Sequence, residues 1–530
     1  MKSFIVTLVP LFIFLVLKLK KAFHMLQQNW YNEGNRYVRW ISRNRFKVFF
    51  YYDLVIIPLF IIGLFVKMDK MIYAYFITYL LVIYLYHRSL KKEQVKKPLV
   101  FTARIKRLSV TVILLYALVL YFIFKDFDVY YLNTYYLILA VAIYLSYFVA
   151  LLANFINKPV EYLVFLHFKH TALRKIDGMK SMQVIGITGS YGKTSSKNIV
   201  SEILNVKYNA FPTPQNFNTP YGIINTINNY LDKFSDYFVV EMSATKVGDV
   251  KDCTDVIRPK YGIITTIGEA HLESFGSKKN IENTKFELIE ALPSDGLAIL
   301  NGDDEIQMNH KINNNVNVKT IGIDNKDVDA LATNIKLSHK GTSFDVKFKG
   351  DKKTYHFESV LLGNNNVYNL LTGILLGKEL GISIEQLELG VRNVRTVEHR
   401  LELKRHGSMS IIDDAYNSNP KGAKMAVEVL GMMPGKKIIV TPGMIELGDM
   451  QYQANCDFGT QIAENKIDEV ILVGEKQTKP ILDGLVKAGY KEDNIHILND
   501  VKEAFPLINK LQGKETYVLL ENDLPDVFNE

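Results

Sequence analysis

Cysteine is almost missing from this chain: Cys253 and Cys456 are the only two in 530 residues. That excludes a disulfide framework and a thiolate metal cluster, and it fits a reducing compartment. A large excess of one charge is missing too. Lys and Arg outnumber Asp and Glu only by 63 to 55, and the surplus sits in the first third of the chain. Such a balance gives no broad basic surface for nucleic acid. There is no internal repeat and no low-complexity tract. At this length several domains are expected.

Long apolar runs, by contrast, are plentiful, and all of them precede residue 158. They lie at about 4–18, 49–66, 71–86, 108–124 and 134–155. A membrane-crossing helix needs ~20 apolar residues, with a lower limit near ~17. The reading is a region of about five spans over 1–157. No small-residue cleavage site follows the first run, only basic residues, so it is not a secretory leader. The segments between runs differ in charge. Lys20, Lys21, Arg36, Arg39, Arg43, Arg45 and Lys47 lie in 19–48; Arg88, Lys91, Lys92, Lys96, Lys97, Arg104, Lys106 and Arg107 lie in 87–107. The positive-inside rule assigns both to the cytoplasm, which leaves the remainder of the chain inside the cell. The expected location is therefore the plasma membrane, multi-pass, with cytoplasmic C-terminal domains. Asp53, inside the second run, is read as snorkelling toward the basic loop.

After a linker at 158–180 the pattern changes. Strand-like runs alternate with helical spacing: 183–188, 237–242, 261–267, 297–302, 409–414, 437–442 and 469–474. This alternation predicts parallel sheets flanked by helices, an α/β class. The stretch 329–360 reads instead as short antiparallel strands. Polar junctions near 392–410 divide a domain at 181–395 from a smaller one at 396–530.

The most informative string is Gly186-Ile187-Thr188-Gly189-Ser190-Tyr191-Gly192-Lys193-Thr194-Ser195. Val184, Ile185 and Ile187 precede it as a buried strand, and 196–204 follow with helical spacing. Gly189 and Gly192 let the backbone wrap a phosphate whose charge meets the amides of a helix start. Lys193 adds a point charge, and the hydroxyl of Thr194 or Ser195 can hold magnesium. The common G-x-x-x-x-G-K-[ST] form would need glycine at 187, where Ile187 stands. Nucleotide binding is the expectation, with ATP and Mg2+ as the implied ligands.

Further strings follow in a fixed order. They are Asn216-Phe217-Asn218-Thr219-Pro220, then Val239-Val240-Glu241, then Gly268-Glu269-Ala270-His271-Leu272-Glu273-Ser274-Phe275-Gly276-Ser277, then Thr284-Lys285-Phe286-Glu287. Gly363-Asn364-Asn365-Asn366-Val367-Tyr368-Asn369 opens a helix. His399-Arg400-Leu401-Glu402 precedes Asp413-Asp414-Ala415-Tyr416-Asn417-Ser418-Asn419-Pro420, and Gly443-Met444-Ile445-Glu446-Leu447-Gly448 closes the series. Over about 350 residues this half resembles the Mur ligases, which form amide bonds in peptidoglycan precursors at the expense of ATP. Within them it is most similar to the MurF type, which adds D-alanyl-D-alanine to a UDP-muramyl tripeptide.

The resemblance implies a P-loop central ATP-binding domain and a Rossmann-like C-terminal ligase domain. It implies an acyl phosphate, made from a carboxylate and ATP and captured by an amine. Lys193 and the loop amides, with Gly189 and Gly192, would hold phosphates. Thr194 or Ser195 and Glu241 would hold one magnesium. His271 and Lys285, the latter carbamylated, would serve a second, with Lys193, His271 and Lys285 the catalytic set. Phe286 departs from the small residue expected there. Asn366 and Asn369 would lie by the adenine, and Arg400 and Asp414 would reach the nucleotide when domains close. The MurF-type UDP-sugar domain has no counterpart here, because apolar runs occupy its place. The carboxylate partner is therefore a cell-wall peptide precursor or a lipid-linked or poly-amino-acid substrate, and the amine an amino acid or dipeptide. Membrane lipids are an expected contact. A nucleotide-gated transporter is the distant alternative; it would leave His271 and Lys285 without a use.

Overall fold

The computed structural model describes residues 2–49, 54–66, 68–91, 98–416, 418–445 and 447–523. Asp53, Asn417 and Glu446 fall outside these. The chain divides into two compact units, Met1–Leu166 and His167–Glu530.

The first unit is helical. Its longer helices are Lys2–Gln28, Met68–Lys91, Ala103–Lys125, Leu132–Tyr144 and Ser146–Asp177, the last being the element in which the division falls. Two apolar clusters hold it together. One contains Leu11, Phe14, Tyr75, Tyr79 and Tyr136; the other contains Leu26, Tyr37, Leu108, Tyr147 and Ala150. A polar seam joins Ala103–Lys125 to Ser146–Asp177. Arg107 grips Glu161 through two hydrogen bonds of 2.7 and 2.8 Å. Arg104 donates to Asn154 at 3.2 Å and stacks 3.9 Å above Tyr31, and Asn157 donates to Thr111 at 2.7 Å. The spacings 104, 107, 111 and 154, 157, 161 put each set on one helix face.

Among the described residues, two helices are long and apolar enough to cross a membrane, Ala103–Lys125 and Ser146–Asp177. That is fewer than the five spans expected. Among the described residues of the run at 49–66, the α-helix is Ile56–Gly63, too short to cross. The run at 134–155 is broken at Leu145 into two helices. Lys2–Gln28 carries Lys18, Lys20 and Lys21 after its apolar run, and Met68–Lys91 contains five tyrosines. The segment 158–180, expected as a linker, is helical as far as Asp177.

The second unit contains two sheets. The larger has nine strands: β1 (Gln183–Thr188), β2 (Ala210–Pro212), β3 (Tyr237–Glu241), β4 (Tyr261–Ile264), β5 (Leu297–Asn301), β6 (Asn317–Gly322), β7 (Ala330–Ser338), β8 (Gly341–Phe348) and β9 (Thr354–Ser359). Their order is β2-β3-β1-β4-β5-β6-β7-β8-β9. β2 to β7 pair parallel; β7, β8 and β9 are antiparallel. Alternation along β1 serves two helical layers. Ile185 and Ile187 pack into the cluster of Ile199, Ile203, Leu370 and Ile374, from helices Lys193–Leu204 and Asn364–Glu379. Gly186 faces the other way, with Leu288 of helix Lys278–Glu290 close against it.

The smaller sheet has six strands: β10 (Glu402–His406), β11 (Met409–Asp414), β12 (Lys436–Thr441), β13 (Glu469–Val473), β14 (Ile495–Leu498) and β15 (Thr516–Glu521), in the order β10-β11-β15-β12-β13-β14. Only the β10–β11 hairpin is antiparallel. In the larger sheet the chain goes left from β1 to β2 and β3, then right to β4. That reversal opens a crevice at the carboxyl ends of β1, β3 and β4, the usual ligand position in such sheets.

Candidate active site

β1 ends at Thr188 and the helix Lys193–Leu204 begins five residues later. Two glycines make the turn possible. Gly192 has φ +80°, which an L side chain adopts only under strain. A Cβ on Gly189 would stand 2.1 Å from Oγ1 of Thr265. The loop is fixed to the segment after β4: Ser190 N donates to Thr266 O at 2.7 Å, Ser190 Oγ to Gly268 O at 2.9 Å, and Thr265 Oγ1 to Tyr191 O at 2.5 Å. Lys193 folds back over the loop, its Nζ donating to the carbonyls of Gly189 and Ser190 at 2.8 and 3.0 Å.

Glu241 ends β3 beside this loop and is buried. Its Oε1 accepts from Thr194 Oγ1 at 3.2 Å and from Asn218 Nδ2 at 2.9 Å. Its Oε2 accepts no hydrogen bond and stands 3.4 Å from Nζ of the buried Lys197. Thr194 therefore meets Glu241. Ser195, half-buried on the same helix turn, has no recorded bond to it. Lys197 lies one turn beyond Lys193, and sequence reading passed over it; the i, i+4 spacing was the available signal.

His271 is exposed and has φ +60° at the start of the short helix Leu272–Phe275. The segment 265–268 that leads to it is the one bound to the phosphate loop. Lys285 is 3% exposed, with Nζ 5.9 Å from the Phe275 ring, and no carboxylate pairs with it. Phe286 turns away from Lys285. It is buried and stacks on His310 with ring centroids 3.6 Å apart, while His310 Nδ1 lies 2.6 Å from Glu282. The bulk that departs from the family pattern thus serves packing. Asn369 Nδ2 donates to Asn366 Oδ1 at 3.3 Å, and Asn369 Oδ1 lies 3.6 Å from where a Cβ on Gly192 would be.

Two positions come from the smaller sheet. Arg400 precedes β10 and its guanidinium stacks 4.3 Å above Tyr416. Asp414 ends β11 and accepts from Leu401 N at 3.2 Å. His399 and Leu401 both have positive φ, at +57° and +50°. Glu521, paired in register with Asp414, is buried and bonded to Ser418 and to Thr441, the latter at 2.5 Å. Nothing in the sequence motifs pointed to Glu521.

Residues 187–377 match the Mur ligase middle domain and residues 399–521 the Mur ligase glutamate ligase domain. A UDP-N-acetylmuramoyl-tripeptide–D-alanyl-D-alanine ligase of Bacillus subtilis is 30% identical over 342 residues, which are 64% of this chain and 72% of that one. The chain belongs to the Mur ligase family. The ligase of the same description from Escherichia coli is 29% identical over 56% of this chain and 65% of its own. Among solved structures, MurF from Acinetobacter baumannii superposes with a TM-score of 0.60 at 25% identity, covering 68% of this chain and 77% of that one. MurF from Thermotoga maritima, solved with ADP, shares the fold at 24% identity and TM-score 0.59, covering 68% and 80%. This Mur ligase is thus an ATP-dependent, carbon–nitrogen bond-forming enzyme.

Charge is concentrated in this ligase's crevice. Burial pushes the Lys193 ammonium down to about 8; Glu241 opposes that and Arg400 adds to it. Burial pushes Lys285 down to about 7, and Lys193 pushes the same way. Burial also lowers Arg400, which Asp414, Tyr416 and Glu241 counter. Asp414 is raised to about 7, first by burial and then by Glu521, against the pull of Arg400 and the Leu401 amide. Lys193, Glu241 and Arg400 thus act on one another across both sheets, with Lys285 linked to Lys193 and Asp414 to Arg400.

The donor set suits the ligands that the fold implies. Among the described residues no group of three or more His, Cys, Asp or Glu could hold a metal by itself. A magnesium ion that keeps waters and takes phosphate oxygens needs only one or two protein oxygens. The buried Glu241 carboxylate, with Oε1 beside the Thr194 hydroxyl and Oε2 without a hydrogen bond, together with that hydroxyl, supplies them. The glycine-lined turn at a helix N-terminus suits a triphosphate.

Proposed function

We propose that this Mur ligase joins a dipeptide of the D-alanyl-D-alanine kind to the carboxylate of a cell-wall peptide precursor, at the inner face of the plasma membrane. One observation carries the reading: the convergence of Lys193, Thr194 and the buried Glu241 from the larger sheet, within electrostatic reach of Arg400 from the smaller. Phosphate activation needs such positive charge, and a labile acyl phosphate needs the cover of a second domain.

In the proposed reaction the acceptor carboxylate attacks the γ-phosphorus of ATP and ADP leaves. The amine then attacks the acyl carbon, phosphate departs, and the nitrogen gives up a proton. Lys193 and the amides following Gly189 and Gly192 hold the phosphates. Thr194, Ser195 and Glu241 hold one magnesium, which when bound neutralises charge between the phosphates. His271 and Lys285 serve a second. Lys285 suits carbamylation because its amine is buried and is pushed down to about 7, by burial first and then by Lys193. Asn366 and Asn369 receive the adenine, and Arg400 and Asp414 close over the nucleotide. The names of the relatives support the amine and the precursor. Helices Ala103–Lys125 and Ser146–Asp177 support membrane attachment, and the lysine- and arginine-rich segments support a cytoplasmic catalytic unit. Under this reading the acceptor is a UDP-muramyl tripeptide or its lipid-linked counterpart.

The test is ATP-dependent phosphate release by the detergent-solubilised full chain, offered UDP-muramyl tripeptide or a lipid-linked precursor, each with D-alanyl-D-alanine. Release with an amide product by mass spectrometry supports the reading. Phosphate release without an amide, for either acceptor, refutes it.

A further inference from the structure

Lys197 is 1% exposed and Glu241 2% exposed. A buried ammonium is costly unless it is paired and bonded. Lys197 meets that need in two directions. Its Nζ donates to Gln215 O at 2.7 Å and lies 3.4 Å from Glu241 Oε2. Gln215 sits in the left-handed region, φ +45°, in the loop between β2 and the helix Pro220–Asn229. That loop also binds Glu241 at both ends: Glu241 N donates to Thr213 Oγ1 at 3.2 Å, and Asn218 Nδ2 donates to Oε1. Three elements therefore meet at one carboxylate. The oxygen facing Thr194 is bonded, and the other has only the ammonium.

We propose that Lys197 is a positioning residue, a resident cation that holds the free oxygen of Glu241 until a divalent metal replaces that contact. This rests on the reading of Glu241 as a metal ligand. The 2.7 Å bond to Gln215 anchors the ammonium on the loop, so that it remains seated when Oε2 is taken by the metal. Lys197 then competes with the metal for Oε2 while it keeps the empty site from collapsing. Removing its charge should tighten metal binding and weaken the metal-free protein.

The full chain is titrated with Mn2+ in the presence of ADP, and free Mn2+ is read by electron paramagnetic resonance. Lys197→Gln retains a neutral donor toward Gln215, and Lys197→Met removes it. For Lys197→Gln, Mn2+ binds about tenfold more tightly than in the parent, the scale of removing one repelling charge from a shielded site. Mn2+ with ADP also raises its thermal midpoint further than it raises the parent's. Affinity within twofold of the parent, or weaker, overturns the proposal, as does an equal thermal response. If Lys197→Met does not fold, Lys197→Gln decides alone. Glu241→Gln separates the two readings: unchanged Mn2+ affinity in that variant refutes Glu241 as a ligand, whatever Lys197 does.

Discussion

Gly189 and Gly192 both belong to the phosphate loop, yet the structure gives them different tolerances. At Gly192 an added Cβ meets nothing closer than Asn369 Oδ1 at 3.6 Å, so the cost of alanine is backbone strain at φ +80°. That is about 1–2 kcal/mol for an L residue in the left-handed region. At Gly189 the Cβ would overlap Thr265 Oγ1 at 2.1 Å and crowd Thr266 N and O at 3.2 Å. Thr265 is not free to swing away, because its hydroxyl holds Tyr191 O at 2.5 Å. Overpacking costs about 1–3 kcal/mol, the lost hydrogen bond about 1 kcal/mol, and the strained backbone at least about 1 kcal/mol more. The sum is about 3–7 kcal/mol. The loop relieves it by moving, so the penalty appears in nucleotide affinity. Calorimetric titration of ADP into the full chain at fixed magnesium should give about 5–30-fold weaker binding for Gly192→Ala and at least about 100-fold for Gly189→Ala. Thr265→Ala in the Gly189→Ala background removes the overlapped atom and should recover at least about tenfold. Equal losses at the two glycines, or no recovery, would refute this account of the loop.

Lys193→Ala is expected to abolish turnover, and Glu241→Ala and His271→Ala each to lower kcat by at least ~100-fold in a phosphate-release assay, the scale of one electrostatic group; near-normal rates in either of the last two refute that ligand assignment. Lys285 has a folded value near 7, below its ordinary range, so between about pH 7 and pH 10 the unfolded chain binds the extra proton and stability rises with pH. Lys285→Met should flatten that rise in thermal melts at constant salt, and 13C-bicarbonate should give the parent, but not the variant, a carbamate resonance. Phe286→Ala should cost about 3–5 kcal/mol of stability in denaturant titrations while leaving low-temperature turnover within a few-fold, since the ring packs on His310. The full chain should stay with membranes through an alkaline wash, and a C-terminal reporter should face the cytoplasm.

Much of the second unit was legible because its strands are apolar runs bounded by turns. The run at 183–188 is β1, and 409–414 is β11. The antiparallel stretch at 329–360 is β7 to β9. Short or half-exposed strands were not legible: Ala210–Pro212 has three residues, and Ile495–Leu498 is only partly buried. In the first unit, apolar composition read as about five spans, while helix breaks such as that at Leu145 depend on packing that composition does not encode. At the site, motifs named the candidate residues Lys193, Thr194 and Glu241, which the structure brings together beside the glycine turn. They missed Lys197 and Glu521, whose roles depend on burial and on partners distant in sequence. A lysine four residues past the loop lysine looks like a solvated helix face until the structure gives it 1% exposure.

The two sheets have a physical reason to meet where they do. Arg400 comes from the smaller sheet's domain, yet it lowers Lys193 of the larger and is itself raised by Glu241. Its guanidinium stacks on Tyr416, and Leu401 beside it is tied to Asp414 through a backbone amide. His399 and Leu401, on either side, both hold left-handed backbone conformations. Such strain persists only where surrounding contacts over-determine it. Here those contacts are the hydrogen bonds to Asp413 and Asp414, at 2.8 and 3.2 Å. The strained turn therefore fixes the half-buried Arg400 against Tyr416. With Lys193 occupied by its own loop carbonyls and Glu241 balanced by Lys197, the crevice holds its charges in internal pairs. Under the proposed reading, a triphosphate entering there takes over the donors of Lys193 and Arg400 together, and nucleotide binding is then coupled to closure of the smaller domain over the larger.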